Sequence, residues 1–156
     1  MARRITKKLS KEQKSLLIGL LLGDGTISSN YVFKLSHSEA QREFLEWKID
    51  LLNKFGFKNN GVKEYISTCG YNKGNKVLYS QMSLNPTIKA LRRTVYTPKK
   101  HITRRLLNWL TPIGLAIWYM DDGGMGVKRR NGKIHAFELF LNTHISKEDN
   151  QIIIDY

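Results

Sequence analysis

The 156-residue chain contains a single cysteine, Cys69. One thiol excludes an internal disulfide and a cysteine-rich zinc site, and it fits a reducing compartment. Long apolar runs are also missing, since the longest, residues 16–22, is far shorter than the roughly 20 residues that a transmembrane helix needs. Residues 1–10 are basic and lead into a polar stretch, which is not the pattern of a secretory signal.

Acidic residues are scarce as well. The chain has 13 Asp and Glu against 26 Lys and Arg, which gives a formal net charge of +13. Such an excess predicts a polyanionic partner, with nucleic acid as the first choice and a membrane surface as the second. No long basic amphipathic helix supports a membrane surface. A basic protein without such a partner is the remaining alternative. The 41% hydrophobic and 10% aromatic residues predict a folded globular protein.

Two nine-residue segments share one form, an apolar run that ends in acid–Gly. They read LIGLLLGDG over 17–25 and LAIWYMDDG over 115–123. The two segments begin 98 residues apart, at residues 17 and 115, and repetition at this spacing predicts two copies of one structural unit. An acid at the C-terminal end of an apolar helix is disfavoured, because that end carries partial negative charge. Two copies of this unfavourable arrangement indicate a function, whereas a single copy would fit a buried core helix ended by an Asp-Gly turn.

The pattern around the two segments predicts an α+β fold of repeated αββαββα units. Residues 1–110 form the first repeat, with a basic N-terminal arm and capping boxes at Ser10 and Ser38. Residues 111–156 form a second repeat that begins at Thr111-Pro112 and holds only a helix, one hairpin and the start of another helix. The sequence is therefore either a fragment, or the remainder of this repeat is supplied by another chain or dispensed with.

The two apolar helices are expected to pack together through small residues, namely Gly19, Gly23, Gly114 and Ala116. This packing would bring Asp24 and Asp122 side by side. Two like charges at unfavourable helix ends predict a site for divalent cations, and ligands that are all oxygen favour Mg²⁺. A site of this kind suits metal-assisted phosphodiester hydrolysis.

These segments resemble the paired motifs of the LAGLIDADG homing endonucleases, in particular the single-chain branch with two motifs. The second copy has the aromatic form WYMDDGG of that branch over 118–124. The resemblance implies a saddle-shaped antiparallel sheet in the DNA major groove, with the motif helices at the interface of two halves. It also implies that Asp24 and Asp122 bind Mg²⁺ or Mn²⁺, with the backbone carbonyls of Gly23 and Asp121 as further ligands.

The same resemblance implies two further site residues. His37 matches a position where the family places a polar active-site residue, although a histidine that merely ends a strand fits equally well. Lys99 or Lys100 matches the position of an active-site lysine, and of these Lys100 is the catalytic candidate. A plain phosphate contact is the alternative for either lysine.

Basic and polar side chains on the solvent face of the sheet are predicted to contact DNA, with solvated surface charge as the alternative for each one. Lys34 and Ser36 alternate out of the first hairpin, and Tyr65 and Tyr79 belong to the second. The full predicted set of DNA-binding residues is Lys34, Ser36, Lys63, Lys76, Lys99, Lys128, Arg129, Arg130 and Lys133.

The sequence therefore predicts a site-specific, metal-dependent endonuclease of a mobile intron or free-standing element, which cuts both strands of double-stranded DNA, one at each aspartate. An intron RNA maturase or a non-cleaving DNA-binding protein on the same scaffold is the alternative, and an inactive fragment is the third. We expect a monomer if the second repeat is complete and self-association if it is truncated. We also expect an intracellular protein, either organellar or in a bacterial or phage-infected cytoplasm.

Overall fold

A computed structural model of the chain describes residues 9–70, 72–82, 86–96 and 99–156. They form two compact units. The first, the sheet unit, lies within residues 24–96, and the second, the helix-pair unit, combines 9–23 with 99–156. The predicted α+β class with antiparallel sheets is confirmed. These units are a different division from the sequence repeats, so the repeat boundary at residue 110 stays a prediction.

The described residues form six α-helices and six strands. In chain order they are α1 (Lys11–Leu22), β1 (Thr26–Ile27), β2 (Phe33–Ser38), α2 (Arg42–Lys54), β3 (Lys63–Ile66), β4 (Lys76–Met82), α3 (Pro86–Val95), α4 (Arg104–Leu107), α5 (Pro112–Asp122), β5 (Gly123–Arg130), β6 (Lys133–Leu141) and α6 (Lys147–Ile154). No helix in this part of the chain is long and apolar enough to cross a lipid bilayer.

The sheet unit is built on an antiparallel sheet with the strand order β1-β2-β4-β3. Alternation along β2 buries Phe33, Leu35 and His37 on one face and leaves Lys34 and Ser36 on the other. Helix α2 contacts β2 and β4 and adds buried side chains of its own. The inner face of β2 therefore directs His37 into the core of this unit.

The helix-pair unit is organised around the contact of α1 with α5. A Cβ on Gly19 would overlap the carbonyl oxygen of Gly114, and a Cβ on Gly114 would overlap the hydroxyl of Ser15. The predicted close approach of the two helices at small residues is therefore confirmed for these positions. Ala116 differs from the prediction, because it is exposed and lines an apolar groove of about 800 Å³.

The predicted helix starts have different outcomes. Ser10 forms the predicted capping box, since its hydroxyl accepts the Gln13 N–H at 3.1 Å and Gln13 accepts the Ser10 N–H at 2.9 Å. The box predicted at Ser38 is wrong: a single 3-10 turn, Glu39–Gln41, precedes α2, and Ser38 makes no side-chain cap hydrogen bond. The dipeptide Asn85-Pro86 predicts a further helix start, and its cap residue lies outside the described residues.

The start of α5 is satisfied by α1 rather than by its own cap residue. Thr111 makes no side-chain cap hydrogen bond, while its N–H donates to Ser15 Oγ at 2.8 Å and its hydroxyl donates to the Glu12 carboxylate. Pro112 needs no N–H partner at the first helical position. The two motif helices are thus joined by hydrogen bonds at one end as well as by glycine contacts.

Strands β5 and β6 form a hairpin whose turn is Asn131-Gly132, with φ of 52° and 77°. Two positive φ values are typical of the two-residue turns that suit the twist of a hairpin. The run of basic residues around Asn131-Gly132 predicts a loop, but Lys128, Arg129 and Arg130 belong to β5 itself. Helix α6 follows from the predicted start at Ser146, where hydrogen bonds from the backbone and from the Ser146 side chain hold the pKa of Glu148 below its usual range.

Candidate active site

In the sheet unit, the carboxylate of Asp24 lies beside a buried histidine and a buried lysine. Asp24 is the acid of the first motif, and its side chain is 40% exposed. Asp24 Oδ2 lies 3.7 Å from His37 Nδ1 and 3.7 Å from Lys48 Nζ. The structure therefore brings together two predicted site residues, Asp24 and His37, and adds a third side chain that the sequence analysis did not select.

The histidine and the lysine also bond to each other. Lys48 Nζ lies 2.9 Å from His37 Nε2, and His37 Nδ1 lies 3.4 Å from Gln41 Oε1. The ring of Phe44 packs against both, with its centroid 5.3 Å from that of His37 and 4.2 Å from Lys48 Nζ. The histidine and the lysine of this polar cluster are thus enclosed, while Asp24 and Gln41 are exposed.

In the helix-pair unit, the ends of the two motif helices contact each other at Gly23. A Cβ on Gly23 would overlap the carboxylate of Asp121, so the carboxylate packs directly over this glycine. Lys100 Nζ donates to the carbonyl oxygen of Leu22 at 2.8 Å and to that of Gly23 at 3.1 Å. An ammonium at the C-terminal end of α1 offsets the partial negative charge there. The structure therefore brings together three predicted site residues, Gly23, Asp121 and Lys100.

Asp122 is oriented by the aromatic residues of its own motif. Trp118 Nε1 donates to Asp122 Oδ2 at 3.2 Å across one helical turn, and the Trp118 side chain is buried. Tyr119 donates its hydroxyl to the carbonyl of Gly124 at 2.7 Å and so fixes the start of β5. The aromatic residues of the second motif thus position its terminal carboxylate and the strand that follows.

The donor chemistry fits a hard divalent cation. The predicted ligands are carboxylate and carbonyl oxygens, which Mg²⁺ prefers, and Mg²⁺ takes only one or two carboxylates and fills its other positions with water and substrate phosphate. Among the described residues there is no group of three His, Cys, Asp or Glu side chains that could hold a metal ion. Gly23 already accepts a bond from Lys100, and a carbonyl oxygen has a second lone pair for a metal.

The predicted DNA-contacting face of the sheet unit carries an ordered lysine. The strand register pairs Ser36 and Lys63 with Tyr79, so these side chains share one face with Lys34. Lys34 Nζ lies 4.8 Å from the ring centroid of Tyr79 and 4.7 Å from that of Tyr65. The aromatic faces attract this ammonium and restrict its position.

Lys76 does not share that face. Alternation from the buried Leu78 turns Lys76 to the other side of β4, and its ammonium lies 3.1 Å from a Glu39 oxygen and 3.9 Å from a Glu64 oxygen. The prediction that it lies on the solvent face is wrong, because the side-chain period of a strand is two residues.

The other basic candidates lie in the helix-pair unit. Lys128 is 3.1 Å from a Glu138 oxygen, and Arg129 donates to the carbonyl of Gly132 at 3.5 Å. The remaining candidates, Lys99, Arg130 and Lys133, are exposed.

Sequence reasoning missed Lys48 and the role of Trp118. Leu45, Ile49 and Leu52 form the buried stripe of α2, and residue 48 falls on the same stripe at helical spacing. A lysine inside an apolar stripe is the signal that could have identified it. Trp118 is four residues before Asp122, the spacing at which helical side chains meet.

Comparisons with known proteins find a matching family model and a similar solved structure. The family model described as "LAGLIDADG DNA endonuclease family" matches residues 14–156, a range that includes both motifs. The homing endonuclease I-WcaI, solved bound to its DNA recognition sequence, is similar with a TM-score of 0.69 and 26% identity. That similarity covers 96% of this chain and 67% of that one.

Three curated relatives illustrate the range of similar proteins. Protein RecA of Mycolicibacterium chitae is 32% identical over 79% of this chain and 28% of its own length. The DNA endonuclease I-ChuI of Chlamydomonas applanata is 26% identical over 75% of this chain and 60% of its own. The cytochrome b mRNA maturase bI2 of Debaryomyces hansenii is 27% identical over 76% and 48%. The chain thus spans about a quarter to three fifths of the length of these relatives.

Proposed function

The chain belongs to the LAGLIDADG DNA endonuclease family, and from that premise we propose that it is a site-specific, metal-dependent endonuclease of double-stranded DNA. The observation that carries the proposal is the family match over residues 14–156, within which both terminal aspartates, Asp24 and Asp122, are present. The DNA-bound homing endonuclease with a TM-score of 0.69 supports the same substrate class.

We assign Asp24 and Asp122 as the metal ligands, with the carbonyls of Gly23 and Asp121 as further ligands. Mg²⁺ or Mn²⁺ at this site would supply Lewis-acid activation of the scissile phosphodiester. The protein contributes orientation: Trp118 holds one oxygen of Asp122, while His37 faces Oδ2 of Asp24. Each carboxylate serves one DNA strand.

Lys100 is proposed as the catalytic lysine. Its ammonium is held at the end of α1 by two carbonyl oxygens, so a positive charge is fixed beside Gly23. A charge held in this way stabilises the negative charge that develops on a phosphate during hydrolysis.

DNA binding is assigned to the basic residues of both units. Lys34, Ser36 and Lys63 share the tyrosine-lined face of the sheet unit, where base edges can be read in the major groove. Phosphate contacts are proposed for Lys99, Lys128, Arg129, Arg130 and Lys133. Lys76 is the weakest member of the predicted set, because two carboxylates already face its ammonium.

The test is cleavage of a supercoiled plasmid pool with a randomised insert, followed by sequencing of the cut ends. We expect Asp24→Asn and Asp122→Asn each to lower cleavage more than the about 100-fold that loss of an outer-shell partner of a metal costs. Asp50→Asn is the matched control, because Asp50 is an exposed acid on α2. Metal-dependent cleavage that survives in the double variant would contradict the assignment.

An intron RNA maturase is the second candidate, favoured by the similarity to a cytochrome b mRNA maturase. Binding to structured intron RNA that exceeds binding to duplex DNA at equal salt, without cleavage of either, would select it. We propose an intracellular location, either organellar or in a bacterial or phage-infected cytoplasm.

A further inference from the structure

Lys48 is the largest charged side chain that is fully enclosed among the described residues. Its exposed fraction is 0%, and it lies on α2 among the buried leucines and isoleucine of the apolar stripe. Burying an ammonium is costly unless charged and hydrogen-bonding partners compensate for the loss of water. A lysine retained at such a position needs a reason beyond packing, because an apolar residue would fill the same stripe.

The contact between Lys48 and His37 links the lysine to the tautomer of the ring. With Lys48 as an ammonium, which only donates, His37 Nε2 at 2.9 Å from Lys48 Nζ is the acceptor. The ring proton then lies on Nδ1, the atom that is 3.4 Å from Gln41 Oε1 and 3.7 Å from Asp24 Oδ2. Lys48 therefore favours the tautomer that presents a donor toward Asp24.

The same ammonium also lies 3.7 Å from Asp24 Oδ2. Two donors on the enclosed side thus face one oxygen of the carboxylate, while the Asp24 side chain is 40% exposed. At 3.7 Å both contacts are electrostatic rather than hydrogen bonds. Partners behind a metal-binding carboxylate commonly fix its direction.

We propose that Lys48 is a positioning residue for Asp24: it fixes the tautomer of His37 and, with it, turns Oδ2 of Asp24 toward the enclosed side. This inference rests on the proposed function, in which Asp24 is a metal ligand. Lys48 does not touch substrate and acts through the two residues beside it.

Two variants and one control test the proposal. Lys48→Met keeps the length and apolar stem of the side chain and removes the donor, whereas Lys48→Gln keeps a donor without the charge. Lys54→Met removes one lysine from the last turn of the same helix, where the side chain is exposed. Folding of each variant is verified by circular dichroism.

The first measurement needs no DNA. The ring carbon and nitrogen NMR shifts of His37 report its tautomer at a pH about two units above the ordinary histidine pKa of about 6.5. We expect the Nδ1–H form in the unmodified chain, in Lys48→Gln and in Lys54→Met, and loss of that single form in Lys48→Met. The Nε2–H form in the unmodified chain, or an unchanged tautomer in Lys48→Met, would overturn the proposal.

The second measurement follows the cleavage of each DNA strand of a selected target separately, with the two strands carrying different labels. We expect Lys48→Met to slow cleavage of one DNA strand, the strand whose cleavage also depends on Asp24, by about 10- to 100-fold. Nicked DNA should then accumulate, while the affinity for DNA stays unchanged. Lys48→Gln should restore part of the rate. Equal slowing of both strands would overturn the proposal, and if Lys48→Met does not fold, Lys48→Gln and the tautomer of the unmodified chain decide. Absence of any cleavage by the unmodified chain counts against the proposed function alone.

Discussion

At the scale of single residues, the close crossing of α1 and α5 depends on glycines, which have no side chain at the contact. A Cβ on Gly19 would overlap the carbonyl oxygen of Gly114, which is backbone and cannot rotate away. We predict that Gly19→Ala lowers the free energy of unfolding by about 1–3 kcal/mol or more, because the helices must separate. Urea denaturation measures the difference.

Gly126→Ala is the matched control for this glycine prediction. The nearest atoms to a Cβ on Gly126 are those of Glu138 at 3.9 Å, an ordinary contact. Because glycine in a strand interior is itself unfavourable, this substitution should change stability by less than about 1 kcal/mol, in the stabilising direction. If Gly19→Ala and Gly126→Ala lowered the free energy of unfolding equally, the helix crossing would not be tight.

The candidate site divides, residue by residue, into what the sequence could and could not predict. The motif pattern was sufficient for Gly19 and Gly114, because a close helix crossing requires small residues at fixed spacing. It did not predict that Lys48 would face His37, since that contact joins a strand to a helix through tertiary packing. Hydrogen bonds of this kind depend on side-chain direction in three dimensions, which spacing along one element does not contain.

At the scale of elements, two serines with similar sequence contexts behave differently. Ser10 closes a capping box on α1, whereas Ser38 precedes a 3-10 turn and caps nothing. We predict that Ser10→Ala lowers the free energy of unfolding by about 1 kcal/mol, the usual contribution of an N-cap hydroxyl. Ser38→Ala should cost less than half of that.

Thermal unfolding of the two serine variants, measured side by side, provides the comparison. The Ser10 hydroxyl accepts a backbone N–H at 3.1 Å, while the Ser38 hydroxyl donates only a long, exposed 3.4 Å bond to the side chain of Gln41. A larger loss for Ser38→Ala would show that the start of α2 is more dependent on its serine than its geometry indicates.

Element boundaries explain the other differences from the sequence predictions. Apart from the one-turn helix α4, the order of helices and strands was predictable, because apolar periodicity and turn residues mark the elements. The side of the sheet on which each side chain lies was harder to predict, because a strand start displaced by one residue moves every side chain to the opposite face. Lys76 is the example, since it lies at the first position of β4 and is directed to Glu39 rather than to the face of Lys34.

At the scale of the whole molecule, the sequence determines the net charge but does not show where in the structure each charge lies. A net charge of +13 needs no structure to indicate a polyanion. The structure shows which basic side chains lie beside a carboxylate. Lys76 lies beside two carboxylates, and Lys128 lies 3.1 Å from one, while Lys133 follows the hairpin turn and is exposed.

This distinction predicts how DNA affinity depends on salt. Each phosphate contact contributes about −0.9 to the slope of log K against log salt concentration, because a condensed counterion is released. We therefore predict that Lys133→Ala makes the slope shallower by about 0.9 and weakens all duplex sequences alike. Lys76→Ala, which changes the net charge equally, should change the slope by less than half as much, since its ammonium is already partnered. Fluorescence anisotropy across a salt series measures both. Equal changes for the two variants would mean that net charge alone, and not the placement of each lysine, governs the binding.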